Sequence, residues 1–258
     1  MISKLYRAFL NDGFLTSEEA LAIIPNRFTC MNTIEHLLAA GQIVKVRRGL
    51  YEIIPLEQIS KPKAAADKFL LARKIVSPYC FAYHTALEIH GAANSAFYNT
   101  VYVTSPRQFR NFTYDGVDFK WIPRRQLTGS EIVVWAAVRI IATDRERTII
   151  DCIDRIDLAG GFEELYKGVL SMKNVSFRKL YEYANAANKK VLFHKLGFLL
   201  SLPRIRQAWS VDDDGLRKIR ENLSSKIFYF KTPKGQGRLI REWNLIVPKE
   251  MEELMELA

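Results

Sequence analysis

QIVKVRRGLYEIIP, residues 42–55, places apolar runs on either side of Arg47-Arg48-Gly49. Ile43, Val44 and Val46 before the turn and Leu50, Tyr51, Ile53 and Ile54 after it are β-prone. A glycine between two such runs supplies the backbone freedom a tight reversal needs, so the stretch predicts a β-hairpin. Upstream, Ile2, Leu5, Phe9 and Leu10 recur at helical spacing and stop at Asn11-Asp12-Gly13. Thr16, with Glu19 three residues on, makes a capping box that opens a second helix through Ile24, and Pro25-Asn26 breaks it. Asn26 then caps a third helix over 27–40, with Gly41 as its left-handed stop. Three short helices followed by a hairpin, all within residues 1–60, predict an N-terminal winged helix-turn-helix whose wing is the hairpin.

At about 100° per residue, the third helix turns Cys30, Met31, Ile34, Leu37 and Leu38 to one side and Thr29, Asn32, Thr33 and His36 to the other. Short hydrogen-bonding side chains on such a face can reach base edges in the major groove while the apolar face packs on the first two helices. Arg27 stands at the helix start, where a phosphate or a guanine would meet it. In the wing, Lys45, Arg47 and Arg48 are long cationic side chains suited to backbone phosphates or the minor groove. A solvated polar face and a charge-protected hairpin tip are the bland alternatives for these two features.

The distribution of charge qualifies this reading. The chain of 258 residues carries a net charge of +10, which favours a polyanionic partner without proving one. Residues 1–60 hold 6 basic and 6 acidic side chains, whereas residues 61–127 hold 10 against 4. The basic excess therefore follows the predicted reader, and Lys61, Lys63, Arg107, Arg110, Arg124 and Arg125 are the candidate auxiliary surface. Residues 61–75 read as a linker helix after Lys61-Pro62, and 76–258 as a larger mixed α/β domain, giving an α+β chain. There YCFAYHTALEIHG (79–91) reads as a helix, 100–105 and 117–123 as strands, and 132–143 as strand-rich. Helices are expected over 144–156, 161–172, 176–187 and LFHKLGFLLSL (192–202), and from Asp212 to Leu223. KIFYF and REWNLIV read as late strands before a short acidic helix, PKEMEELMELA.

Other chemistries find little support. Asp118-Phe119-Lys120 resembles half of a metal-dependent nuclease signature, but a further well-separated acid is not clear, and an alternating strand explains it. His84, Glu88 and His90 do not share one helix face and offer no third zinc ligand. Asp144-Arg145-Glu146-Arg147 reads as a capped helix with local ion pairs. GxxxxGK[ST], GxGxxG and GxSxG are absent from the sequence. Cys30, Cys80 and Cys152, odd in number and far apart, read as small buried apolar residues. The start MISKLYRAFLNDG lacks the pattern of a secretory signal, so a cytoplasmic protein is expected. No cofactor, metal or catalytic residue is expected.

VRRGLYEIIP, SPYCFAYHTALEIHG, ERTIIDCIDR before Gly160-Gly161, and HKLGFLLSL occur in an order that resembles the AbiEi antitoxins of type IV, abortive-infection toxin-antitoxin systems. SSKIFYFKTPKGQGRLIREWNLIV, 224–247, resembles that family's closing β segment less distinctively. The resemblance implies a transcriptional autorepressor whose winged helix binds inverted repeats upstream of its own operon, with DNA contacts carried to Arg47, Arg48, Gly49 and Tyr51. It also implies a C-terminal domain that antagonises a nucleotidyltransferase toxin without a stable complex. Two alternatives remain: a winged-helix-guided metal-dependent DNA nuclease using Asp118 and Lys120, and a winged helix that binds an acidic protein.

Overall fold

The computed structural model describes residues 3–95, 99–232, 236–249 and 251. The chain begins with α1 (Lys4–Phe9), β1 (Phe14–Thr16), α2 (Ser17–Ile23), α3 (Arg27–Ala39), β2 (Ile43–Arg47) and β3 (Leu50–Ile53). It continues through α4 (Lys68–Ala72), β4 (Cys80–Phe81), α5 (His84–Ile89), β5 (Thr100–Ser105), β6 (Phe112–Tyr114), β7 (Val117–Pro123), β8 (Ser130–Trp135) and β9 (Val138–Thr143). The helices α6 (Arg145–Asp154), α7 (Phe162–Ser171), α8 (Phe177–Ala186), α9 (Lys190–Ser201), α10 (Pro203–Ala208) and α11 (Asp213–Arg220) follow. Then come β10 (Phe228–Tyr229), β11 (Arg238–Ile240) and β12 (Leu245–Val247). This is an α+β chain in two compact units, one of Met1–Cys80, Asn99–Leu127 and Ile132–Ile141, the other of Phe81–Tyr98, Thr128–Glu131 and Ala142–Ala258.

In the first unit the expected capping box forms in full. The Glu19 N–H donates to Thr16 Oγ1 at 3.2 Å, and the Thr16 N–H donates back to Glu19 Oε2 at 2.9 Å. Asn26 caps α3 by accepting from the Thr29 N–H at 2.9 Å. β1 is too short to show a sequence period of its own and is defined by its partner, with Leu15 opposite Tyr51 in an antiparallel pair. With Ile43 opposite Ile53 it completes a sheet ordered β1-β3-β2, whose inner face packs with Leu5, Cys30 and Ile34 into one apolar core.

The stretch 61–75 is helical over α4 only. Lys61 to Ala66 is irregular, and Asp67 opens the helix by accepting from the N–H groups of Phe69 and Leu70 at 2.9 and 3.0 Å. Arg73 and Lys74, just past α4, pair with Asp12, each at 3.0 Å, and Lys74 also bonds Glu19. Burial pushes the Asp12 carboxyl up, but the hydrogen bonds and charges of Lys74 and Arg73 outweigh it and leave it below the ordinary carboxylate value. β5 and β7 run parallel, while β6, unanticipated from sequence, forms a hairpin with β7. Asp115 and Gly116 occupy its turn with φ of 48° and 74°, the left-handed pair of a two-residue hairpin. The strand-rich 132–143 stretch proves to be parts of β8 and β9, reversed at Ala136-Ala137.

In the second unit α6 starts at Asp144, which accepts from the Arg147 N–H at 2.8 Å and the Tyr183 hydroxyl at 2.7 Å. Its other end is closed by the buried Lys195, whose Nζ donates to the Ile153 carbonyl at 2.8 Å. Burial pushes the Lys195 ammonium pKa down. The unbroken burial of Leu192 to Leu200, His194 and Lys195 included, makes α9 the buried centre of this unit. The expected helix over 79–91 is instead β4 followed by α5, separated by Tyr83 at φ 58°, a conformation that breaks regular structure. REWNLIV is likewise divided. Arg241–Trp243 form a 3-10 turn, Asn244 is left-handed at φ 43°, and only Leu245–Val247 are strand, because Trp243 turns inward. α10 and β11 were not anticipated, and most of the expected acidic helix at 248–258 lies outside the described residues. All three cysteines are buried.

His194, fully buried in α9, carries a pH prediction. Trp243's carbonyl, 2.7 Å from Nδ1, can only accept, so Nδ1 holds the proton and Nε2 accepts from the Ser224 N–H at 3.2 Å. Desolvation pushes the imidazole pKa down, and the bond to Trp243 offsets it only partly. Above the unfolded histidine value of about 6.5 the folded and unfolded states are both neutral at this site. Below it the unfolded chain takes up a proton first, so stability falls with pH until the folded pKa is passed. We expect the urea midpoint to drop on acidification from pH 7 to 5, with part of that drop missing in His194→Gln; an identical pH dependence in the variant would show that His194 does not contribute.

Candidate nucleic-acid interface

α3 is anchored through Cys30, Ile34 and Leu37, all buried. Opposite that anchor, the side chains at i+4, i+7 and i+8 from Phe28, namely Asn32, Glu35 and His36, face outward with it. The expected two-sided helix is therefore rotated slightly. Met31, assigned to the core side, is 43% exposed, and Phe28, assigned to neither, is 76% exposed. Thr29 and Thr33 lie at the margin and hydrogen bond locally: Thr29 Oγ1 donates to Asn26 Oδ1 at 3.1 Å, and Thr33 Oγ1 donates to the Thr29 carbonyl at 2.8 Å. Arg27 and His36 are exposed and Asn32 is half-buried.

The hairpin turns at Gly49, φ 75°, whose carbonyl accepts from the Ser17 N–H at 2.8 Å and so fixes the turn on the start of α2. Lys45 and Arg48 are exposed. Arg47 is half-buried: its guanidinium sits 5.0 Å from the Phe112 ring centroid of β6, and Nη1 is buried without a hydrogen-bond partner. Tyr51 corrects an expectation outright. At 7% exposure it belongs to the core beside Leu15 and Ile53, because its position on β3 faces inward, and it offers no surface for DNA.

Lys63 is also corrected. Its ammonium lies 2.8 Å from Glu52 Oε2, bonds Asp115, and stands 3.1 Å from the Tyr114 hydroxyl. Two carboxylates thus neutralise it, and those bonds overcome desolvation to hold its pKa above the ordinary lysine value. Glu52, only 7% exposed, receives the Tyr114 hydroxyl as well, and burial with that carboxylate pushes the Tyr114 phenol up to about 12. The result is a brace joining β3 of the hairpin to the β6–β7 turn. No local motif announces Glu52, but Asp115-Gly116 between apolar runs is a hairpin signal that would have placed Tyr114.

Of the remaining basic candidates, Lys61, Arg107, Arg110 and Arg125 are exposed and Arg124 is half-buried. Arg110 borders an open cleft of about 660 Å³ with Gln108, Phe109, Asn111 and Trp121. Trp121 is fixed there, its indole Nε1–H donating to the Ser105 carbonyl at 3.0 Å and its backbone N–H to Asn111 Oδ1 at 2.8 Å.

Asp118 accepts from Thr113 Oγ1 at 2.7 Å and lies 3.5 Å from Lys120 on the exposed surface. The hydrogen bond from Thr113, then the charge of Lys120, hold its carboxyl below the ordinary value. Among the described residues no group of three or more His, Cys, Asp and Glu side chains is placed to hold a metal ion. His84 and His90 instead bond Glu164 at 3.1 Å and the Thr143 carbonyl at 2.7 Å. No helix among the described residues is long and apolar enough to cross a membrane.

No protein-family profile and no curated protein matches this chain. Among solved structures, it is similar to the crystal structure of RV2827C protein from Mycobacterium tuberculosis, with a TM-score of 0.64 and 15% sequence identity over 95% of this chain and 90% of that one. At that identity the likeness establishes a shared fold and nothing finer.

Proposed function

We propose that this protein is a sequence-specific DNA-binding repressor of the antitoxin type, reading duplex DNA through a winged helix formed by residues 1–60. The single observation that carries the reading is the arrangement α1-β1-α2-α3-β2-β3, with sheet order β1-β3-β2, a solvent-facing α3 and exposed Lys45 and Arg48 on the hairpin. In such a module α3 enters the major groove and the hairpin arginine meets phosphate or the minor groove. Arg27, Asn32 and His36 are the reading residues from the expected set, with Lys45 and Arg48 as backbone clamps. Arg107, Arg110 and Arg125 supply sequence-independent attraction, consistent with the zero net charge of residues 1–60.

The resemblance to AbiEi antitoxins supplies the biological role: autorepression at inverted repeats, and antagonism of a nucleotidyltransferase toxin by the second unit, in the cytoplasm and without a stable toxin complex. DNase footprinting over the DNA upstream of the protein's own gene tests the repressor role. We expect a bounded protected region containing an inverted repeat. Uniform protection, or none at concentrations that bind bulk DNA, would remove it.

A further inference from the structure

We infer that Phe28 is a specificity-determining residue that reads the 5-methyl group of a thymine in the major groove. This deepens the winged-helix reading and rests on it. Phe28 is 76% exposed on the first turn of α3, the most exposed large apolar side chain among the described residues. A ring of that size held in water has no role in the core of its own unit. It shares the outward face of α3 with Asn32, and Met31, 43% exposed, flanks it.

The surroundings select the occupant. Arg27 adjoins Phe28, the first turn of α3 contains no acidic residue, and the N-terminus of this thirteen-residue helix adds the positive end of its dipole. An apolar ring beside the positive end of the helix, with Glu35 of the same face two turns away, fits a polyanion that displays apolar groups, and the thymine methyl is the apolar group on the major-groove edges of the bases. The polar side chains beside it are less available. Thr29 and Thr33 donate their hydroxyl protons inside the helix, so apolar contact becomes the larger element of recognition at its N-terminal end. Asn32, one turn on, matches an adenine through its amide. The expected pattern is a thymine contact adjoining an adenine contact in each half-site.

The test starts with full-length protein and duplexes selected from a random pool. Each thymine of the selected site is replaced singly by deoxyuracil, which removes the methyl group alone, and affinity is measured for wild type, Phe28→Ala and Phe28→Leu. We expect one thymine per half-site at which uracil costs wild type about fourfold in Kd, the worth of burying one methyl group. Phe28→Ala should bind the thymine and uracil duplexes alike, while Phe28→Leu retains part of the discrimination. Wild-type discrimination that persists unchanged in Phe28→Ala, or no thymine that matters in a specifically bound site, overturns the inference and leaves the DNA-binding reading intact. A wild type that selects no sequence overturns both. If Phe28→Ala leaves DNA binding unchanged but abolishes self-association in sedimentation, the face is a protein interface and the inference is wrong.

Discussion

On the proposed DNA-binding reading, Arg48→Ala is expected to lower affinity for duplex DNA about tenfold, the scale of one lost hydrogen bond to a charged group. It also flattens the dependence of log Kobs on log salt by about 0.9, the signature of one phosphate contact. Arg48 is exposed at the turn of the hairpin, and that turn is fixed to α2 through Gly49 and Ser17, so the guanidinium extends from a rigid base. Arg47→Ala has a smaller effect, because its side chain is half-buried against Phe112 and must leave that ring to reach a phosphate. Lys63→Ala leaves the slope unchanged, since Glu52 and Asp115 already neutralise the lysine. Fluorescence anisotropy at several salt concentrations ranks the three. Equal slopes for wild type and Arg48→Ala would place the phosphate contacts elsewhere.

Gly197→Ala destabilises the second unit by about 3 kcal/mol, at the upper end for overpacking a filled core. In an exposed helix the same substitution would stabilise by about 1 kcal/mol. Here an added Cβ would lie 2.2 Å from both Cε3 and Cζ3 of Trp243. The indole cannot easily retreat: it is fully buried, its Nε1–H donates to Ser201 Oγ at 3.0 Å, and its carbonyl receives His194. Steric overlap therefore dominates propensity. Thermal unfolding should shift down by roughly 6–12 °C, the range expected for a unit of this size, and a midpoint equal to wild type would mean that the two segments pack less closely than described.

The N-terminal elements were legible because their signals are local. Thr16 and Glu19, Asn26, and Gly41 mark helix ends through bonds spanning a few residues, and Gly49 marks the hairpin turn; each occurs where expected. What escaped depended on distant partners. β1 exists only against β3, and Tyr51 looks like a wing residue until β1 and α1 cover it. The same holds for charge: Lys63 reads as basic surface until Glu52, eleven residues away, and Asp115, from another hairpin, reach it. Phe28 belongs to neither face of the amphipathic reading, and only the packing of Cys30, Ile34 and Leu37 sets the true axis that turns it outward. In the second unit, Tyr83 and Asn244 interrupt apparently continuous elements at positive φ, which a tyrosine does not announce and an asparagine, the residue type that most readily follows glycine there, does.

Competition binding tests the central claim most directly. Full-length protein is titrated against a duplex from its own upstream region and against random duplex of equal length, at one salt concentration near 0.15 M, chosen because surface charge remains strongly screened there. A specific reader binds the first at least about a thousandfold tighter. Equal affinity for both would reduce the hairpin and α3 to a general polyanion surface and contradict the account.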